Sequence, residues 1–280
     1  MVKAKNTSSK ASKAVSNAND SRKSGRRRNE VNYNDEQVIE NPNTLSSSAS
    51  TPSNKNPKNH PKIEIYDEKC KIPTKSAKGE LHFTDYDDFR PNLTPAEVLN
   101  LGSFGGTYFR KIYSSITEKN YTASEAIAEY PSSWFENMSE KDIKTKVTSS
   151  TYNKSINTYD IKCGQSLDAW ESSGWITEAD PYGWFQWYCR FYLGRRCSDD
   201  ERQIARGKGV FSNKGRWRNN LINKVINQGI INKNWSVKEC IVDKTISPTI
   251  RQLLQHWGYR LTSRDLVAAL KLKKVPYREE

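Results

Sequence analysis

Asp180-Pro181-Tyr182-Gly183-Trp184-Phe185-Gln186-Trp187-Tyr188-Cys189-Arg190-Phe191-Tyr192-Leu193-Gly194-Arg195-Arg196 places seven aromatic side chains within seventeen positions. Trp184, Trp187, Tyr188 and Phe191 stand at i, i+3, i+4 and i+7, the spacing of one helix face. Phe185, Cys189 and Tyr192 fall on an adjoining face. Asp180-Pro181 supplies a start, since proline suits the first helical turn. The spacing predicts a central helix around which a core packs, because each ring brings a large apolar area that water disfavours. A second reading is that Trp184, Trp187 or Tyr188 lines a groove where bases or another planar ligand stack.

Outward from this helix, further starts recur. Thr94-Pro95-Ala96-Glu97 and Thr122-Ala123-Ser124-Glu125 read as capping boxes, and Ser198-Asp199-Asp200-Glu201 as a third. Ser139, Ser166, Ser247-Pro248 and Ser263 each precede an apolar series at helical spacing, and Gly102 and Gly174 are placed to stop helices. Leu221, Ile222, Val225 and Ile226 give another apolar face. Alternating patterns are scarce, Lys62-Ile63-Glu64-Ile65-Tyr66 being the tidy case. The reading is mainly α: a single compact multi-helix domain over residues 79–280, rich in tryptophan, after a disordered N-terminal tail.

That tail, residues 1–78, is rich in Ser, Asn, Lys and Pro and holds Tyr33 and Tyr66 as its aromatic residues. Such a composition buries too little apolar surface to offset the entropy of ordering. Within it, Arg22-Lys23-Ser24-Gly25-Arg26-Arg27-Arg28 is a candidate nuclear localisation signal or nucleic-acid contact. A nuclear location is the expectation, with the cytoplasm as the alternative. The opening residues lack the apolar core of a secretory signal and the apolar face of a mitochondrial presequence. No run of the length a membrane span needs occurs.

The net charge is +13, and it is clustered. Residues 190–233 carry eleven Lys or Arg against Asp199, Asp200 and Glu201. Clustered positive charge points to a polyanion. The candidate nucleic-acid contacts are Arg190, Arg195, Arg196, Arg202, Arg206, Lys208, Lys214, Arg216 and Arg218, with Trp184, Trp187 and Tyr188 as stacking partners. Lys214, Arg216 and Arg218 interleave with Phe211 and Trp217, as a nucleic-acid channel requires. Asp199, Asp200 and Glu201 suit a first helical turn, and they are also able to hold guanidinium groups in orientation toward a phosphate.

Gly102-Ser103-Phe104-Gly105-Gly106 offers a tight backbone path whose N–H groups are a candidate phosphate loop at Gly102, Gly105 and Gly106. It lacks the Gly-Lys-Ser/Thr of a Walker loop and the preceding strand of a dinucleotide fingerprint. A turn packing Phe104, Tyr108 and Phe109 inward is the competing reading. Five cysteines without Cys-x-x-Cys, and histidines only at 60, 82 and 256, offer no zinc spacing, so neither metal nor cofactor is expected.

Four motifs carry a resemblance: Gly102 to Phe109, Gly174 to Ile176 with Asp180 to Arg196, Asp199 to Ile204, and Arg251 to Tyr259. They are similar to a family of uncharacterised proteins of bacteria, fungi and plants, over about residues 81–265. The resemblance implies a shared domain and brings no reaction with it. One departure is Gly207, where relatives carry Trp after the Arg of R-Q-I-x-R.

Nucleic-acid binding is the leading expectation. An enzyme acting on an anionic substrate, through Arg195, Arg196, Asp199, Asp200, Tyr188 and Cys189, is the alternative. No Gly-x-Ser-x-Gly, His-Glu-x-x-His or kinase set supports a named reaction. His256, on the apolar helix around Leu253 and Leu254, reads as a packed, hydrogen-bonded residue rather than a base. A structural adaptor is the third reading.

Overall fold

The computed structural model describes residues 62–280. The basic run Arg22–Arg28 and most of the expected tail lie outside the described residues. Residues 62–78, which composition assigned to the tail, are built into the domain through two strands. Strand β1 (Ile65–Asp67) pairs antiparallel with β6 (Arg196–Cys197), and β2 (Thr74–Lys75) pairs with β3 (Leu81–His82). Backbone bonds from Ser198 N to Glu64 O and from Cys70 N to Gly194 O continue the first ladder. Local composition could not reveal this, because the partner strand is about 130 residues away. A third ladder joins β4 (Ile112–Ser114) to β5 (Lys119–Tyr121).

Helix dominates the remainder. In chain order the helices are α1 (Pro95–Asn100), α2 (Ala123–Ala128), α3 (Glu140–Lys146), α4 (Leu167–Ser172) and α5 (Trp184–Tyr192). Then come α6 (Asp200–Phe211), α7 (Arg216–Val225), α8 (Val237–Val242), α9 (Pro248–His256) and α10 (Ser263–Lys273). A π-turn, Ile226–Ile231, continues α7. The fold is thus mainly helical with small antiparallel ladders at its edges.

Side-chain chemistry sets the helix starts. Thr94 with Glu97, Thr122 with Glu125, and Ser139 with Asp142 form reciprocal capping boxes. Thr262 with Asp265, rather than Ser263, caps α10. The box expected at Ser198 is absent: its hydroxyl accepts the Glu64 N–H, and α6 begins after Asp199.

Helix α5 is the centre of the core. Seven of its nine residues are buried, on every side of the helix. Phe89 packs edge-on against Trp187, Tyr188 and Phe191, and Phe83 and Phe211 close around it. Burying 150–250 Å² per ring contributes roughly 4–6 kcal/mol each, at about 25 cal/mol per Å². Polar atoms that this brings inside are paired. Tyr188 donates to Leu93 O at 2.6 Å, and Trp187 Nε1 donates to Asp200 Oδ1 at 2.8 Å.

Candidate functional site

At least six of the nine candidate cations of the basic stretch are ion-paired to carboxylates among the described residues. Asp180, fully buried, takes Arg195 in a two-pronged bond and Arg190 on one side, and Arg190 also grips Glu129. Arg196 pairs with Asp85 at 2.6 Å while its guanidinium lies 3.8 Å from the Phe191 ring centroid. Arg202 is held by Asp199 at 2.5 Å, Lys208 by Asp88, and Arg218 by Asp265 at 2.8 Å. Lys214 is exposed, and Arg216 lies over the Trp217 ring. Trp187 and Tyr188 are sealed in the core and offer no stacking face.

The expected pocket of Arg195, Arg196, Asp199, Asp200, Tyr188 and Cys189 is likewise not a cavity. These six side chains are buried, and each of their nitrogen and oxygen atoms but the Arg195 Nε has a partner. Both oxygens of Asp200 are taken, by Trp187 Nε1, Cys197 N–H and Cys197 Sγ, and burial pushes the Cys189 thiol well up, so it is not a ready nucleophile. Sequence shows the residues close together but not that their charges cancel.

The glycine turn is a structural corner. Gly102, Gly105 and Gly106 have φ of +89°, +57° and +80°, a region that glycine alone enters without strain. Their N–H groups are already used, by Leu99 O, Asn157 Oδ1 and Ser103 O. No amide of the three is left for a phosphate. The turn instead carries Phe104, a non-glycine residue at φ +55°. Strain of this kind costs about 1–3 kcal/mol and persists where surroundings enforce it. Here Phe104 N–H donates to His256 Nε2 at 3.0 Å, and the two rings stack 4.1 Å apart.

Phe104 borders a cavity of about 640 Å³. That is within the 300–1,000 Å³ range usual for small-molecule sites. The walls come from distant parts of the chain: the glycine turn, the loop before α4, Trp170 and Trp175, the start of α5, Arg206 of α6 and the end of α9. Nine aromatic rings line it, four of them tryptophan. Arg110, Lys162 and Arg206 are its cations, and no Asp or Glu lines it.

Arg206 is the cation set among the rings. Its guanidinium lies 5.6 Å from the Trp257 ring centroid and 6.0 Å from that of Trp175. Nη1 donates to Gln203 Oε1 at 2.8 Å, and no carboxylate pairs with it among the described residues. Burial first, and the neighbouring Arg202 second, pull its pKa down to about 9, so it keeps its charge at neutral pH. Of the residues the sequence singled out for binding, Trp184 and Arg206 meet here. Trp170, Trp175, Trp257, Lys162 and Arg110 were not singled out, since no local pattern says which tryptophans share a wall.

Cys163 also borders the cavity, with burial pushing its thiol to about 12. The same effect lowers His256 to about 3. Among the described residues no three His, Cys, Asp or Glu side chains gather as a metal site would need, and no helix is long and apolar enough to cross a membrane. No protein-family model, curated protein or solved structure matches this chain.

Proposed function

We propose that the domain binds a small planar anion, its ring among the tryptophans of the 640 Å³ cavity and its charge against Arg206. The observation that carries this is the lining: nine rings, three cations and no carboxylate. A half-buried guanidinium without an acid beside it is costly, and an incoming anion relieves that cost. Tryptophan and arginine together favour a flat ligand, through stacking and cation–π attraction.

The basic stretch supports a nucleic-acid surface less well, because its ion pairs already neutralise most of its arginines. An anionic substrate remains the chemical class for an enzyme reading, with the cavity in place of the Arg195–Cys189 cluster. The thiol of Cys163 is not its nucleophile at neutral pH, since burial holds it protonated.

The test uses the full chain and matched ligand pairs: benzoate with benzamide, indole-3-acetate with its amide, and AMP with adenosine. Tryptophan fluorescence and thermal shift report binding. The charged member of at least one pair should bind tenfold more tightly, about 1.4 kcal/mol, and Arg206→Met should remove the difference. Equal binding within every pair would sink the anion assignment. Steeply salt-dependent binding of single-stranded DNA that survives Arg206→Met would return the function to the basic surface.

A further inference from the structure

The cavity contains a second polar group whose protonation the geometry fixes. His256 closes α9 and is buried. Its Nε2 accepts the Phe104 N–H at 3.0 Å, and a backbone amide only donates, so this nitrogen carries no proton. Gln252, one turn earlier, sets its amide nitrogen 3.0 Å from the same Nε2. The orientation of that amide is set from its other end, where Oε1 accepts the Tyr159 N–H at 3.2 Å. The Phe104 ring, stacked at 18°, covers one imidazole face.

A neutral imidazole whose Nε2 is an acceptor has its proton on Nδ1. That Nδ1 has no hydrogen-bond partner among the described residues, and it is not one of the buried polar atoms sealed without a partner. His256 lines the cavity, the open space beside its ring. Trp257, the next residue, is the ring beneath the Arg206 guanidinium, which brings the two donors to neighbouring parts of one wall.

We propose that the Nδ1–H of His256 is a second donor to the ligand, so that the molecule bound here is a heteroaromatic anion: a charged group for Arg206 and a ring nitrogen or oxygen acceptor for His256. This rests on the anion reading of the cavity. A ligand lacking the acceptor leaves a desolvated N–H without a partner, which is how a polar site rejects close analogues. His256 acts here as a specificity-determining residue, and the alignment of its ring is the work that the strained Phe104 performs.

The experiment has two arms on the full chain. In the first, histidine-selective ¹⁵N labelling reads the ring of His256 between pH 6 and 8, assigned by the signal lost in His256→Gln. A protonated Nδ1 and bare Nε2 are expected throughout; a proton on Nε2 overturns the proposal. In the second, pyridine-2-, -3- and -4-carboxylate are compared with benzoate, which has the same shape and charge but no ring acceptor. At least one of the three should bind fivefold or more tighter than benzoate and shift the Nδ1 signal, which benzoate leaves in place. His256→Gln keeps an oxygen for the Phe104 N–H and loses the donor, so it should bind all four alike. If the variant fails to fold, the wild-type comparison and the Nδ1 signal still decide. Benzoate binding as tightly as the best pyridinecarboxylate overturns the proposal and leaves the anion reading standing. Tighter binding of benzamide and pyridinecarboxamides than of the acids overturns the anion reading itself.

Discussion

The carboxylate of Asp180 receives both terminal nitrogens of Arg195, at 2.8 and 2.6 Å, in the interior of the domain. The Arg195-Arg196 motif is therefore turned inward, with Arg195 the clasp between the loop before α5 and the turn after it. Removing Arg195 leaves the buried Asp180 carboxylate with Arg190 at Oδ1 and no partner at Oδ2. Arg195→Ala is expected to destabilise the domain by about 3–5 kcal/mol. Urea unfolding followed by tryptophan fluorescence checks this; a loss below about 1 kcal/mol would mean that the pair contributes no more than an exposed one.

Arg206 should behave in the opposite way. It has no carboxylate partner among the described residues, and its guanidinium lies over the Trp175 and Trp257 rings. Arg206→Met keeps the packing and removes a half-buried charge. The expected change is neutral or a gain of up to ~1 kcal/mol, the pattern of a residue held for binding at some cost in stability. A urea midpoint that falls as far as that of Arg195→Ala would mark Arg206 as structural.

The contrast between these two arginines shows what was legible in the sequence. Both sit in the same basic stretch, and local charge counts treat them alike. Their difference lies in Asp180, fifteen residues before Arg195, and in the lack of any such partner near Arg206. The same holds for the rings. Helical spacing reveals that Trp184, Trp187 and Tyr188 belong to one helix, and the core around α5 follows. It does not reveal that Trp184 alone of the three reaches a cavity, because that depends on Trp257 and Trp170, more than ten residues away on other elements. Capping boxes were readable because both partners lie within four residues. The Ser198 box failed for the converse reason, its hydroxyl being claimed by Glu64 from the start of the domain.

The glycines give a paired prediction. A Cβ on Gly106 would lie 2.2 Å from Thr145 O, and one on Gly102 would lie 2.0 Å from Ile156 O, both at positive φ. Gly102→Ala and Gly106→Ala should each cost more than ~2 kcal/mol, through strain and backbone collision. Gly209 is exposed within α6 at an ordinary helical φ, with nothing within 4 Å of its Cβ position. Gly209→Ala should add roughly 0.5–1 kcal/mol by helix propensity alone. Circular dichroism melts of the three variants separate the cases, and equal melting temperatures would contradict the account of the turn.

Acid should weaken the fold through His256. Burial lowers its pKa from the ordinary 6.5 to about 3 in the folded protein. The unfolded chain then takes up a proton on this ring below pH 6.5, while the native state does not until about pH 3. Protons bound to the unfolded state alone favour unfolding, so stability falls as pH falls. The slope approaches about 1.4 kcal/mol per pH unit well below 6.5. Carboxylates held low by hydrogen bonds, such as Asp265 and Asp85, add a loss of the same sign, but only nearer pH 4 and below. The Asp200 carboxyl, raised by burial, titrates in both proteins, so the difference between the wild type and His256→Gln isolates the histidine contribution from pH 6.5 to 4.5. Urea midpoints of the wild type should decline across it, and those of His256→Gln should decline less, since glutamine takes up no proton. Parallel curves for the two proteins would show that His256 is protonated in the folded state, and the neutral N–H assigned to the cavity would fall with it.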